Sequence, residues 1–231
     1  MLVALTGFLA GAIHVLTGAD HLAAIAPLAA DGRRRAWRTG VTWGVGHASG
    51  VAIVALLALA LKSALPTERL DAFTAVGERI VGAVLIAIGL LGLRRALATR
   101  VHVHPHRHGD VRHEHLHLHA DPHASETPDV PHAHAHAALA VGLLHGLCGS
   151  SHFLGVLPSL ALPTPRETGI YLIGFCAANV LAMAGYATIV GRLASRLAAR
   201  GAHAWRAMLV ACAALAIVVG SAWLTVGALD S

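Results

Sequence analysis

The chain has 231 residues, of which 56% are hydrophobic and only 13% charged, with a mean hydropathy of +0.65. That apolar share exceeds the range of soluble domains, and the charges gather between apolar runs of roughly 18 residues or more, the length of a membrane-spanning helix. A net charge of +5 would suit nucleic acid only with interleaved aromatics; these make up 4%, so a nucleic-acid partner is excluded and membrane lipid is the expected surround.

Six spans can be drawn, at about 2–30, 40–61, 76–94, 137–161, 169–191 and 206–229. The first apolar stretch is too long for a signal-peptide core and lacks a basic leader, so it reads as a span. At about 28 residues and about 1.5 Å each it would run roughly 42 Å, against about 30 Å of hydrocarbon. Such a span must tilt strongly or break, and Thr17-Gly18 is the expected break. It carries His14, Asp20 and His21; the second span adds His47 in Gly44-Val45-Gly46-His47. Small residues spaced by four (Gly7/Gly11, Gly40/Gly44, Gly142/Gly146) are ridges for close helix packing.

After the third span comes a histidine tract, with twelve histidines between His102 and His136. Alternating runs place His102, His104, His106 and His108, then His113, His115, His117 and His119, with His132, His134 and His136 before the fourth span. Such a tract cannot build a packed core and reads as disordered, auxiliary metal-binding sequence. The fourth span opens with Gly142-Leu143-Leu144-His145-Gly146-Leu147-Cys148-Gly149-Ser150-Ser151-His152, which repeats Gly11 to His21 at an offset of 131. His14 pairs with His145, Gly18 with Gly149, His21 with His152 and Pro27 with Pro158, while Ser151 stands where the first copy has Asp20. Beyond these motifs the similarity fades: Gly40 to Ser49 only loosely matches Gly169 to Asn179.

Thirteen of the 17 basic residues lie in the first, third and fifth connections, leaving Lys62, Arg69, Arg79 and Arg166 for the others. Excess positive charge marks the cytoplasmic side, so both termini are expected outside and the histidine tract in the cytoplasm. Three spans per half then force the two copies to enter the membrane from opposite faces, the inverted-repeat plan of many secondary transporters. The chain therefore reads as an all-α membrane protein: a first three-helix repeat (1–98), a histidine-rich cytoplasmic loop (99–136) and a second repeat (137–231).

Titratable groups inside apolar spans mark function by default. Imidazole nitrogens with one carboxylate suit nickel, cobalt or zinc, whereas magnesium and calcium call for more oxygens and copper(I) for methionine and cysteine. His14, Asp20, His21, His47, His145 and His152 are the candidate metal ligands. Gly18 and Gly149 are candidate helix breaks, and Cys148, Ser151 and Asn179 candidate path-lining residues. Asp20 has a second reading, as the partner that fixes the tautomer of His21. Cys148, Cys176 and Cys212 all fall in apolar runs and indicate neither a disulfide framework nor a paired-cysteine zinc site.

With these residues assembled, the chain resembles the nickel/cobalt transporter superfamily, in particular its hydrogenase- and urease-associated nickel permease branch. The likeness rests on His14-x5-Asp20-His21, on Gly44-Val45-Gly46-His47 and on the histidine-rich central loop. It implies transport of Ni²⁺ or Co²⁺, with Zn²⁺ also compatible, in a bacterial inner membrane and without an enzymatic reaction or a permanently bound cofactor. Urease or hydrogenase maturation would be the beneficiary, and cytoplasmic metallochaperones are candidate partners. The chain departs from the branch at Val15, where proline is common after the first histidine. Efflux of the same ions is the alternative direction; a membrane thiol–disulfide or sulfur-compound carrier using Cys148, and a fixed-metal membrane enzyme, are the competing classes.

Overall fold

The first apolar stretch is two helices. In the computed structural model α1 (Leu2–Thr17) ends at Gly18, and α2 (Ala19–Gly32) leaves at an angle of 70°. Gly18 takes an extended conformation (φ −74°, ψ 98°) and its N–H donates to His14 O at 3.1 Å, closing the last turn of α1. The backbone is described for residues 1–32, 35–60, 67–98, 100–108, 111–119, 131–148, 156, 158–159 and 161–229, and the side chains for 1–31, 35–60, 76–98, 136–148, 156, 158–159 and 161–225.

The remaining helices are α3 (Ala36–Ala60), α4 (Thr67–Ala98), α5 (Pro131–Cys148), α6 (Pro165–Arg200) and α7 (Ala202–Leu229). α6 starts cleanly because Thr164 accepts from the Glu167 N–H at 3.2 Å and Pro165 supplies a preset φ in the first turn. It stops at Gly201, whose φ of 133° suits glycine and lets α7 fold back. Among the described residues, four helices are long and apolar enough to cross a membrane: α3, the Val76–Ala98 part of α4, α6, and Ala202–Thr225 of α7. The bent α1/α2 pair makes a fifth if counted as one span, and His136–Cys148 in α5 is apolar but shorter. The protein is a helical membrane protein.

Two expectations shift. The histidine tract, read as disordered, contains two strands, β1 (Arg100–His108) and β2 (Val111–His119), paired antiparallel from Arg100 opposite His119 to His108 opposite Val111. Histidine at every second position is the two-residue period of a strand. α5 also begins at Pro131, inside the expected loop, because the alanine-rich run from Ala133 onward is a good helix former behind a proline start. The expected fourth span is helical as far as Cys148, and 149–155 lie outside the described residues.

Packing follows the glycines. α1 lies along α6, α5 along α3, α3 also against α6, and α4 against α7. A Cβ at Gly7 or Gly11 would run into the carbonyls of Tyr171 or Phe175 on α6. One at Gly142 or Gly146 would meet the carbonyls of Trp43 or His47 on α3 in the same manner. Backbones can approach this closely only where no side chain intervenes, and van der Waals packing is what holds helices together in lipid. Leu5, Leu9, Ile13 and Leu16 of α1, and Ile173, Leu181 and Ile189 of α6, are exposed, as lipid-facing residues should be. Polar groups sit inside instead, around α2.

Candidate metal centre

The break at Gly18 brings helix ends together. His14 occupies the last turn of α1, and Asp20 and His21 the first turn of α2; α3 contributes His47 and α5 contributes His145. Asp20 is 3% exposed, His145 1%, and His21 and His47 0%, so the cluster is closed to solvent on this protein's own terms. A carboxylate at the start of α2 is favoured by the partial positive charge of unsatisfied N–H groups there. The reversed charge at the end of α1, beside His14, favours a cation.

Asp20 is the hub. Its Oδ1 accepts from His21 Nδ1 at 2.8 Å and its Oδ2 from His145 Nε2 at 3.0 Å. A carboxylate can only accept, so both donors carry their protons, and each neutral ring then presents its other nitrogen as a bare lone pair. His21 thereby directs Nε2 away from Asp20, and this atom stands 3.3 Å from His47 Nε2. Two nitrogens on one tetrahedral ion at about 2.0–2.1 Å each lie roughly 3.3 Å apart, so this separation fits a shared metal. One ligand atom each from His14, His21 and His47 lie within 4.8 Å of one another, and so do one each from Asp20, His21 and His145. The two groups share His21.

Aromatic walls hold the rings. Trp43, one turn before His47, stacks on it at 4.9 Å and also meets His145 at 5.4 Å. Phe175 of α6 lies 5.5 Å from His14. Sequence reading missed both; the four-residue spacing of Trp43 to His47 was the available signal for the first. Gly18 matters here for space. A Cβ at Gly18 would strike His21 Nδ1 and come within 3.0 Å of Asp20 Oδ1, the two atoms of the orienting hydrogen bond.

No family model and no solved structure matches the chain. It is similar to two proteins of Arabidopsis thaliana, Chloroplast protein FOR GROWTH AND FERTILITY 1 and 2. Each is 33% identical, over 193 and 194 residues, covering 83% of this chain and 50% and 48% of theirs. The chain thus spans about half the length of these relatives. It is also 26% identical over 188 residues to urease accessory protein UreH of Bacillus sp. (strain TB-90), covering 80% of this chain and 74% of that one. A urease accessory protein is among its relatives.

The structure gathers His14, Asp20, His21, His47 and His145 at one place. Asn179 is buried on α6, and Cys148 is half-buried at the end of α5. Gly149, Ser151 and His152 lie outside the described residues. So do the side chains of His102 to His134 in the tract, while His136, in the second turn of α5, is exposed. Cys148, Cys176 and Cys212 are all free thiols. On a straight helix Asp20 would point roughly 100° away from the neighbouring histidine, and it reaches His21 and His145 where the helix restarts at Ala19.

Proposed function

We propose that this chain is a membrane permease that carries Ni²⁺ or Co²⁺ between two opposed three-helix halves, in a bacterial inner membrane with both termini outside. The observation that carries the reading is the solvent-excluded cluster of His14, Asp20, His21, His47 and His145 at a broken helix. Borderline divalent ions match imidazole donors, and broken helices at membrane depth are tolerated where they line a path. Helix pairing supports the two-halves reading: the first helix of each half lies along the second helix of the other. Relatedness to a urease accessory protein supports nickel as cargo and import for urease or hydrogenase maturation as its direction.

In this mechanism the ion meets His14, His21 and His47 first, with Asp20 holding the His21 ring from behind, a carboxylate–histidine–metal arrangement. The carboxylate also offsets the charge of the ion, which neutral imidazoles do not. Because His21 belongs to both ligand groups, a turn of its ring hands the cargo toward Asp20 and His145. Loose, changing ligation of this kind permits release, which a closed four-ligand cage would not. The histidine tract serves as a cytoplasmic buffer for the same ions.

The test is radiolabelled nickel and cobalt flux into proteoliposomes, wild type against His21→Ala. We expect the variant to fall to the background of empty vesicles. Equal flux in both would overturn the reading. A tightly retained, stoichiometric metal with no flux would make the protein a fixed-metal one instead.

A further inference from the structure

One buried carboxamide is left out of the cluster's hydrogen bonds. Asn179 on α6 is 0% exposed, and both its Oδ1 and its Nδ2 lack a hydrogen-bond partner among the described residues. A buried carboxamide with every valence idle is exceptional and calls for a reason, an absent ion being one.

Helix registers fix its level. α1 and α6 run in the same direction, Gly7 against Tyr171 and Gly11 against Phe175, so the next turn brings Val15, neighbour of His14, to Asn179. α3 and α6 run oppositely, with Gly44 against Val180 and the Cys176 thiol donating to Ala48 O at 3.7 Å. His47 sits between those two contacts, so Asn179 lies on α6 at the level of both His14 and His47.

The other half repeats the pattern. Gly142 and Gly146 of α5 back onto Trp43 and His47 of α3, as Gly7 and Gly11 of α1 back onto Tyr171 and Phe175. Matching Gly11 with Gly142 pairs Phe175 with Trp43, and each aromatic lies against the histidine of its packing partner: His14 at 5.5 Å and His145 at 5.4 Å. Four residues further along each helix stand Asn179 and His47.

We propose that Asn179 is the second half's counterpart of His47 and coordinates the transported ion through its carboxamide oxygen, an inference that rests on the permease reading. A neutral oxygen binds a borderline cation more weakly than imidazole does. It therefore completes the coordination without trapping the ion.

The test uses the full-length protein in detergent with Co²⁺ as the probe, read by visible absorption and titration calorimetry. Asn179→Leu is expected to weaken Co²⁺ binding by about tenfold or more and to change the cobalt spectrum. Asn179→Asp, which keeps the shape and adds charge, should bind Co²⁺ more tightly, with a shifted spectrum and slower release. If Asn179→Leu fails to fold, the aspartate variant decides: a cobalt spectrum identical to wild type overturns the proposal. Wild-type affinity and spectrum in Asn179→Leu, with Co²⁺ binding lost in His21→Ala, overturns it while leaving the permease reading intact. Absence of Co²⁺ binding in the wild type overturns both.

Discussion

The histidines around Asp20 and those between His102 and His136 carry the same imidazole under opposite constraints. In the cluster four rings are buried, and Asp20 fixes two tautomers at once. In the tract twelve rings lie in a charged connection, eight of them at alternate positions of two short strands. A two-stranded hairpin by itself is marginal in water. On the permease reading, a path needs few ligands whose orientation is fixed by their neighbours, while a buffer needs only many. Substitutions should therefore hurt at single positions in the cluster and hardly at all in the tract.

The strongest test of that contrast after loss of His21 is Asp20→Asn. The amide keeps the shape but turns one acceptor into a donor, so either His21 or His145 must give up its proton position. Apparent nickel affinity in a flux assay should fall by roughly 10–100-fold, the usual effect of losing an orienting partner. A wild-type affinity would show that Asp20 does not set the His21 tautomer.

Gly18→Ala comes next. The added methyl would occupy the position of the Asp20–His21 hydrogen bond. It should cost about 1–3 kcal/mol of stability by overpacking, measured by thermal unfolding in detergent, and reduce flux along with it. Removing residues 102–130, which spares the start of α5, should leave maximal flux unchanged and alter only its dependence on metal concentration. Total loss of flux would place the tract in the path and erase the contrast. The smallest effect is expected from Arg95→Ala. Its ion pair with Asp31 ties α4 to α2 but both side chains are more than a third exposed, at 46% and 39%, so the loss should stay below about 1 kcal/mol.

The cluster was partly legible because lipid makes buried polar residues conspicuous. His14, Asp20, His21, His47 and His145 stand out as titratable groups within apolar runs, and Gly18 as a break in a stretch too long to span once. The aromatic walls were not legible, since Trp43 and Phe175 in apolar helices look like ordinary packing until a neighbouring helix is docked. Nor was the register of α6, because similarity between the second helices of the two halves is too faint to align. The hairpin in the tract was hidden by composition, which speaks of solubility and metal affinity but not of the two-residue period that pairs β1 with β2.

By itself the sequence determined the membrane setting, the doubled histidine phrase and the lopsided carboxylate, because hydropathy and residue chemistry are local properties. Only the tertiary structure decided which atoms meet. Asp20 joins His145 from 125 residues away, and His21 meets His47 across two helices, because glycines at Gly7, Gly11, Gly142 and Gly146 let backbones touch and a 70° bend turns α2 into the space between them. Such approach distances are set by how helices dock in three dimensions, and no spacing along one chain encodes them.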